Sequence, residues 1–368
     1  MAMVAGKRSW RAGLGPLATV TVLVLVSFSP SVAWYATRTY DRLQAPTETV
    51  KVPDLPDAAP LAPRVTRGYA PHAAAFDATL QEMRITGRRH TRLLERHFEL
   101  YRQARAVFGE AQANALMRLV DVETRNQAAG LERRSVFSSP EAAIANARDW
   151  LAFSRYVLVE RPERTRDLAA LISSASPVPM APDVVLRQAT WIRRAANDTR
   201  LAPGALAAVV DNEQAGASLA YGLSGLLREF TDTAALRATQ VYGRSGWTGE
   251  LSKTVGIAQM SWEDALGQNQ RLRAFGVSLG VPFPQNEEEA RTLLARPYAN
   301  LLLTASRIAG YLNRTEGVGP NSVLPHTDAW VYFLGPGWHN NPALASGGET
   351  WPYAWNAFFK ACLYQRLL

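Results

Sequence analysis

Apolar residues recur at helical spacing along most of the chain from about residue 73 onward. Between residues 94 and 104 they share one face, while Arg88, Arg92 and Arg96 lie largely on other faces. The same periodicity predicts further helices over about residues 110–125, 140–156 and 164–173. The sequence shows neither an internal repeat nor a convincing series of alternating strands. The pattern therefore predicts an all-α fold.

Two local features of this region make specific predictions. His97 falls on the apolar face of its helix, so it is predicted to be a packed or rim residue rather than a metal ligand. The sequence SSPEAA at residues 138–143 combines a serine cap, a first-turn proline and an early glutamate. This combination is typical of a helix that starts near residue 140.

Residues 201–214, LAPGALAAVVDNEQ, predict one helix that carries a glutamate into apolar surroundings. Pro203 suits the first turn of this helix, where its missing N–H would have no partner. One helix face combines three apolar residues with the acid: Leu206, Val209, Val210 and Glu213. Apolar neighbours raise the pKa of a carboxyl group and keep it protonated, which suits a general acid. The alternative is that the helix rotates or ends early and leaves Glu213 in water.

Two later segments have the composition of a ligand site. In SKTVGIAQMS, residues 252–261, Gly256 lets backbone approach a ligand closely, and Gln259 offers a donor and an acceptor for sugar groups. In AWVYFLGPGWHN, residues 329–340, a Gly-Pro-Gly sequence predicts a tight turn directly after an aromatic run. A strongly periodic helix is predicted between them, over residues 296–313.

These stretches resemble, in order, the motifs of lytic transglycosylases and their goose-type lysozyme relatives. The helix with Glu213 resembles V-D-P-A-L-L-L-A-L-I-x-Q-E-S, and GIAQ at residues 256–259 resembles G-L-M-Q. The helix from Asn300 loosely matches N-I-x-x-G-x-x-Y-L, with Tyr311 one turn late. Finally, VYFLGPG at residues 331–337 resembles A-Y-N-A-G-P-G.

The resemblance implies a lysozyme-like helical catalytic domain at residues 201–368, preceded by an additional helical region at residues 73–200. It implies cleavage of the peptidoglycan glycan strand between N-acetylmuramic acid and N-acetylglucosamine. One glutamate, here Glu213, would act first as general acid and then as base, giving a 1,6-anhydromuramic product. Tyr332 is expected beside this glutamate, orienting its carboxyl group. The residues expected to hold the glycan are Gly256, Ile257, Gln259, Met260, Tyr311, Tyr332 and Gly335.

The chain departs from the pattern of these enzymes at three places. Gln214 stands where the motif has serine, and Phe333 replaces the asparagine of the last motif. The sequence also places 42 residues between Glu213 and Gly256, more than the usual enzymes carry. These departures bear on the substrate register and, to a lesser degree, on activity.

Two alternative functions therefore stay open at this point. The first is a catalytically inactive lysozyme-like protein that binds peptidoglycan or serves as a scaffold. The second is a hydrolytic muramidase, which would use water and a second carboxylate. Glu250 and Asp232 are the candidates for that second group.

The N-terminal part of the chain predicts export. Basic residues precede an apolar run at residues 17–28, and small residues fit a signal-peptidase site after Ala33. Residues 1–33 are thus predicted to be a cleaved signal peptide, with an uncleaved membrane anchor as the alternative. Residues 34–72 are rich in proline, which predicts an extended tether. We expect the protein in the periplasm, free or anchored to the inner membrane.

Composition narrows the range of partners. The net charge of +8 favours anionic partners such as cell-wall polymers. The sequence has no zinc-finger spacing, RNA-binding signature or phosphate loop, so nucleic acid is not expected as a partner. Cys362 is the only cysteine, which excludes an intrachain disulfide and a cysteine-based metal site. No metal and no cofactor are predicted, and the expected partner is the peptidoglycan glycan strand.

Overall fold

The computed structural model of the chain describes residues 51–55, 63–129, 135–219, 254–315 and 350–368. The predicted signal segment lies outside these residues. The stretch Val50–Leu368 forms one compact unit. Within the described ranges, no helix is both long enough and apolar enough to cross a membrane.

Helices make up most of the described residues, which confirms the all-α prediction. The first group of helices is α1 (Pro63–Glu82), α2 (Gly87–Phe108), α3 (Glu110–Ala128), α4 (Pro140–Val159) and α5 (Thr165–Ala175). They are followed by α6 (Pro182–Arg187), α7 (Ala189–Asp198) and α8 (Pro203–Leu219). Two short antiparallel strands come next, β1 (Thr254–Val255) and β2 (Met260–Ser261). The remaining helices are α9 (Trp262–Leu266), α10 (Asn269–Ala274), α11 (Glu287–Leu294), α12 (Pro297–Thr315) and α13 (Thr350–Leu367).

Helix α1 begins at Pro63 and continues through Pro71. The prediction that residues 34–72 form an extended tether is therefore wrong for residues 63–72. Pro63 lies at the first helical position, where its missing N–H costs little, and Pro71 removes only a single helical hydrogen bond. Burial of the apolar face of α1, with Phe76 at 0% exposure, offsets that loss.

Helices α1 to α4 pack against one another, and His97 on α2 lies inside this packing. The His97 ring is completely buried and stacks on Phe76 with the ring centroids 4.0 Å apart. Its Nδ1 lies 2.8 Å from the Tyr69 hydroxyl oxygen. Burial disfavours the charged imidazolium and lowers the pKa of His97 to about 3. The prediction of a packed histidine is confirmed.

Helix α4 starts where the sequence predicts, with a serine cap. Ser139 Oγ accepts a hydrogen bond from the backbone N–H of Ala142 at 3.2 Å, and Pro140 stands in the first turn. The helix extends slightly past its predicted end, because Val157 still packs into the core. It then ends at Val159.

Helix α8 is the helix predicted to carry the catalytic glutamate, and it is central to the fold. Leu206, Val209 and Val210 are completely buried, but so are the neighbouring residues on its other faces. A helix that is apolar all round is typical of a buried core helix rather than of an amphipathic surface helix. At its start, a Cβ on Gly204 would lie 2.3 Å from the carbonyl oxygen of Ala361, so α8 and α13 are in close backbone contact.

One hydrophobic core contains residues from both sides of the predicted domain boundary at residue 200. Helix α7 packs against α8 and α12, and α4 packs against α13. Trp150 stacks on Phe359 with the ring centroids 5.2 Å apart. The Trp355 indole N–H donates a hydrogen bond to Asn146 Oδ1 at 2.9 Å. The division of the chain into two regions at that boundary stays a prediction.

On helix α12 the residues of the predicted apolar face are buried, but so are Leu303, Thr304 and Ser306 on its other sides. The fully buried or nearly buried residues on this face are Leu301, Leu302, Ala305, Ile308 and Ala309. Tyr298 is half-buried, and its hydroxyl donates a hydrogen bond to Asp198 Oδ2 on α7 at 2.7 Å. The helix is thus fixed between α7 on one side and the elements that follow the strands on the other.

Candidate functional site

Glu213 lies in the C-terminal half of α8, and this helix continues to Leu219. The side chain of Glu213 is half-buried, whereas Asp211 two residues earlier is completely buried. The helix has therefore not ended before the glutamate, as one alternative supposed. Asn212 is half-buried as well, and Gln214 and Ala215 directly after the glutamate are buried.

The predicted glycan-binding sequence GIAQ forms the tight turn between β1 and β2. Val255 pairs with Met260 at the base of this hairpin. Gly256 has φ +84° and Gln259 has φ +47°, so both lie in the left-handed region. The backbone N–H and the side-chain amide of Gln259 both donate to the Gly256 carbonyl oxygen, at 3.1 and 2.8 Å. The turn is thus closed by its own last residue.

Asn300, at the start of α12, binds the backbone of this hairpin through two hydrogen bonds. Its Oδ1 accepts a hydrogen bond from the Ala258 N–H, and its Nδ2 donates to the Val255 carbonyl oxygen, both at 2.9 Å. The side chain is completely buried, so neither bond competes with water. A Cβ on Gly256 would lie 2.3 Å from Asn300 Nδ2 and 2.5 Å from the Leu294 carbonyl oxygen. Only glycine fits there.

Gln214 connects the glutamate helix to the turn. Its side-chain amide donates a hydrogen bond to the carbonyl oxygen of Ile257 at 2.9 Å, and the residue is 6% exposed. The residue directly after Glu213 therefore contacts the residue directly after Gly256. Gln214, which departs from the motif, therefore has a structural role, because its hydrogen bond joins α8 to the hairpin.

The structure thus brings the helix that carries Glu213 into contact, through Gln214, with the turn that contains Gly256, Ile257 and Gln259. Met260, at the end of the turn, is completely buried and lies under the Thr304 hydroxyl, with Oγ1 3.9 Å from its sulfur. From this position Met260 supports the turn from within the core.

Other predicted site residues fall outside the description. Tyr311 belongs to α12, eleven residues beyond Asn300, but its side chain is not among those described. The predicted residues that lie outside the described residues altogether are Tyr332, Phe333, Gly335, Glu250 and Asp232.

A buried ion pair beside the site was not anticipated from the sequence. The Lys360 ammonium on α13 lies 2.6 Å from Asp211 Oδ1, and Tyr364 donates to Asp211 Oδ2 at 2.5 Å. The N–H of Ala181 also donates to Asp211 Oδ2, at 3.0 Å. Burial and the nearby Asp211 carboxylate raise the pKa of Tyr364 well above its usual value. The available signal was an aspartate in an apolar stretch of α8 and a lysine in an apolar stretch of α13.

Among the described residues, no group of three His, Cys, Asp or Glu side chains is placed to hold a metal ion. We also compared the chain with other proteins. No protein-family model, curated protein or solved structure matches it. The resemblance to lytic transglycosylases therefore depends on the four sequence motifs, and the lysozyme-like character of the fold stays a prediction.

Replacing Gly256 by alanine is expected to destabilise the protein by about 2–4 kcal/mol. The cost combines left-handed backbone strain with the collision of the new Cβ against Asn300 and Leu294. The measurement is the free energy of unfolding in urea, followed by circular dichroism. Gly276→Ala is the matched control, because Gly276 has φ +71° but nothing within 4 Å of its Cβ position. Equal losses for the two variants would contradict the close packing of the turn.

Proposed function

We propose that this protein cleaves the glycan strand of peptidoglycan between N-acetylmuramic acid and N-acetylglucosamine, without using water. The observation that supports the proposal is the hydrogen bond from Gln214 to Ile257. It joins the helix that carries Glu213 to the turn whose sequence resembles a glycan-binding motif. Two of the four motifs, 42 residues apart in sequence, are thus neighbours in the fold.

In the proposed reaction, the Glu213 carboxyl group protonates the glycosidic oxygen as the bond to C1 of the muramic acid breaks. The resulting carboxylate then takes the proton of the C6 hydroxyl of the same sugar, and that oxygen attacks C1. The product is a 1,6-anhydro sugar, and Glu213 ends the cycle protonated. Because the nucleophile belongs to the substrate, proximity replaces a second carboxylate. No cofactor or metal takes part in this scheme.

The other site residues bind and orient the sugar in this proposal. The backbone of Gly256 and Ile257 is partly exposed and contacts the glycan in this proposal, whereas the missing Cβ of Gly256 makes room for Asn300 and Leu294 inside the protein. Gln259 fixes the shape of the turn through its bonds to Gly256. We assign Tyr332 to orient the glutamate, and Tyr311 and Gly335 to contact the glycan.

The proposed substrate agrees with the proposed location. Residues 1–33 would export the chain, either as a cleaved signal peptide or as an anchor in the inner membrane. The described part would then face the cell wall in the periplasm, with peptidoglycan strands as its partner. Nucleic acid has no part in this proposal.

The test is to incubate the purified protein, prepared without residues 1–33, with peptidoglycan sacculi and to identify the released fragments by mass spectrometry. We expect fragments that end in 1,6-anhydromuramic acid. Fragments with a reducing muramic acid would identify a hydrolytic muramidase instead, and would direct attention to Glu250 or Asp232 as the second carboxylate. Binding to sacculi without any release of fragments would identify a scaffold protein.

A further inference from the structure

Four arginines on α2 line a groove between this helix and α4. The groove encloses about 320 Å³. Its lining consists of Arg88, Arg89, Arg92, Leu93, Arg96 and Glu141. Glu141, on α4, is the only acid among them. We call this groove between α2 and α4 the arginine groove.

Most of the positive charge in the arginine groove is not compensated within the described part of the chain. Arg89 binds Glu141 in a bidentate manner, with Nε and Nη2 donating to the two carboxylate oxygens at 2.7 and 3.0 Å. This contact lowers the pKa of the Glu141 carboxyl group. Arg88, Arg92 and Arg96 are all exposed, and no described carboxylate lies within 4.0 Å of them. Three guanidinium groups therefore face solvent in one groove.

The spacing of these three arginines suits an extended strand that carries repeated anionic groups. Arg88, Arg92 and Arg96 are each separated by four residues, which corresponds to a rise of about 6 Å along the helix. Alternate side chains of an extended peptide are about 6.6 Å apart. Acidic groups at that interval can meet successive guanidinium groups without bending the strand.

The groove is better suited to carboxylates on a strand than to a lipid surface. The Arg89–Glu141 pair shows that a planar carboxylate fits between α2 and α4 in fork geometry. Membrane-surface helices add exposed apolar side chains that enter the lipid. Leu93, the one apolar residue lining the groove, is only 1% exposed.

The contacts of α13 show where the groove lies relative to Glu213. Helices α8 and α13 run antiparallel, because Gly204 bonds to Gln365 while Asp211, further along α8, pairs with Lys360. The C-terminal part of α8, with Glu213, is therefore near the N-terminal part of α13.

Helices α4 and α13 run parallel, because Asn146 bonds to Trp355 and Trp150 stacks on Phe359. The N-terminal end of α4, where Glu141 lies, is therefore at the same end of the fold as Glu213. With neighbouring helix axes 8–10 Å apart, the arginine groove lies roughly 20–30 Å from the glutamate.

We propose that the arginine groove binds the carboxylate-bearing peptide stems of the peptidoglycan strand. The polymer identity in this inference depends on the proposed function, while the binding role of the groove does not depend on cleavage. A strand held at the groove by its stems is kept within reach of Glu213 at the same end of the molecule.

The experiment measures sedimentation of the protein with sacculi, in native form and after their carboxylates have been converted to amides. The variant is Arg88→Gln/Arg92→Gln/Arg96→Gln. We expect it to bind native sacculi about tenfold more weakly than the unmodified protein, because three exposed ion pairs are lost. We expect amidation to weaken binding of the unmodified protein similarly and to leave the variant unaffected. The dependence on salt should also decrease in the variant.

A second triple variant controls for net charge. Arg164, Arg166 and Arg273 are exposed and lie outside the arginine groove, so their replacement by glutamine removes the same charge elsewhere. An equal loss of binding in this control, or no loss in the groove variant, would overturn the inference. Groove-dependent binding to anionic phospholipid vesicles or to RNA, with none to sacculi, would overturn it as well.

Fragment release, measured beside binding for the unmodified protein and the groove variant, separates this inference from the proposed function. If the unmodified protein releases no fragments but binds native sacculi through the three arginines, the proposed cleavage fails and the binding inference is supported. If fragments are released and the groove variant binds like the unmodified protein, the cleavage stands and the inference is wrong.

Discussion

Glu213→Gln is expected to abolish the release of 1,6-anhydromuramic fragments, with a loss of at least about 100-fold in rate. The amide has the shape of the carboxyl group but can neither donate the required proton nor accept it later. Since the side chain is only half-buried, we expect the free energy of unfolding to change by less than about 1 kcal/mol. The measurement combines the fragment assay with urea unfolding of the same protein.

Glu263→Gln is the matched control for this substitution. Glu263 is an exposed acid on α9, close in sequence to the hairpin but outside the proposed site. It should keep the rate of the unmodified protein. If Glu213→Gln retained activity, another carboxylate would be the acid, and Glu250 and Asp232 would be the next residues to replace.

Asp211→Ala is expected to destabilise the protein by about 3–5 kcal/mol. The substitution leaves the Lys360 ammonium in the core without its anion, and such an uncompensated charge is costly. It also removes the acceptor for the Tyr364 hydroxyl and for the Ala181 N–H. The measurement is the free energy of unfolding in urea. Asp149→Ala, an exposed aspartate on α4, should change it by about 0.5 kcal/mol or less.

A double-mutant cycle tests whether the loss comes from the ion pair itself. Removing both charges, as in Asp211→Ala/Lys360→Met, should destabilise less than the sum of the two single substitutions, because neither charge is then left alone. Strict additivity would show that Asp211 and Lys360 do not interact in the folded protein, contrary to the 2.6 Å distance between them.

Much of the fold could be predicted because its signals are local. The cap at Ser139 and the buried His97 each follow from residues within a few turns of one helix. The turn at Gly256 was not predicted, because the sequence indicated only a close approach of its backbone to a ligand, and its positive φ is seen only in the structure.

The parts that could not be predicted depend on tertiary contacts. Pro71 lies inside a helix because the rest of α1 packs well enough to offset one missing hydrogen bond. The face predicted for α8 is not the only buried one, since residues 205–211 are buried on all sides of that helix. Asp211 and Lys360 are far apart in sequence, so no local pattern could pair them. The same is true of Asn300, which was noticed only as the start of a helix.

The bond between Gln214 and Ile257 also bears on the long spacing between the first two motifs. It closes a loop in the chain, so the two ends of the intervening segment are held together whatever its length. The entropy needed to close a loop grows slowly, by about 0.6 kcal/mol for each doubling of its length. Insertions and deletions in that segment therefore change the free energy of folding little. Relatives of this protein with very different spacings between these two motifs could share one catalytic geometry.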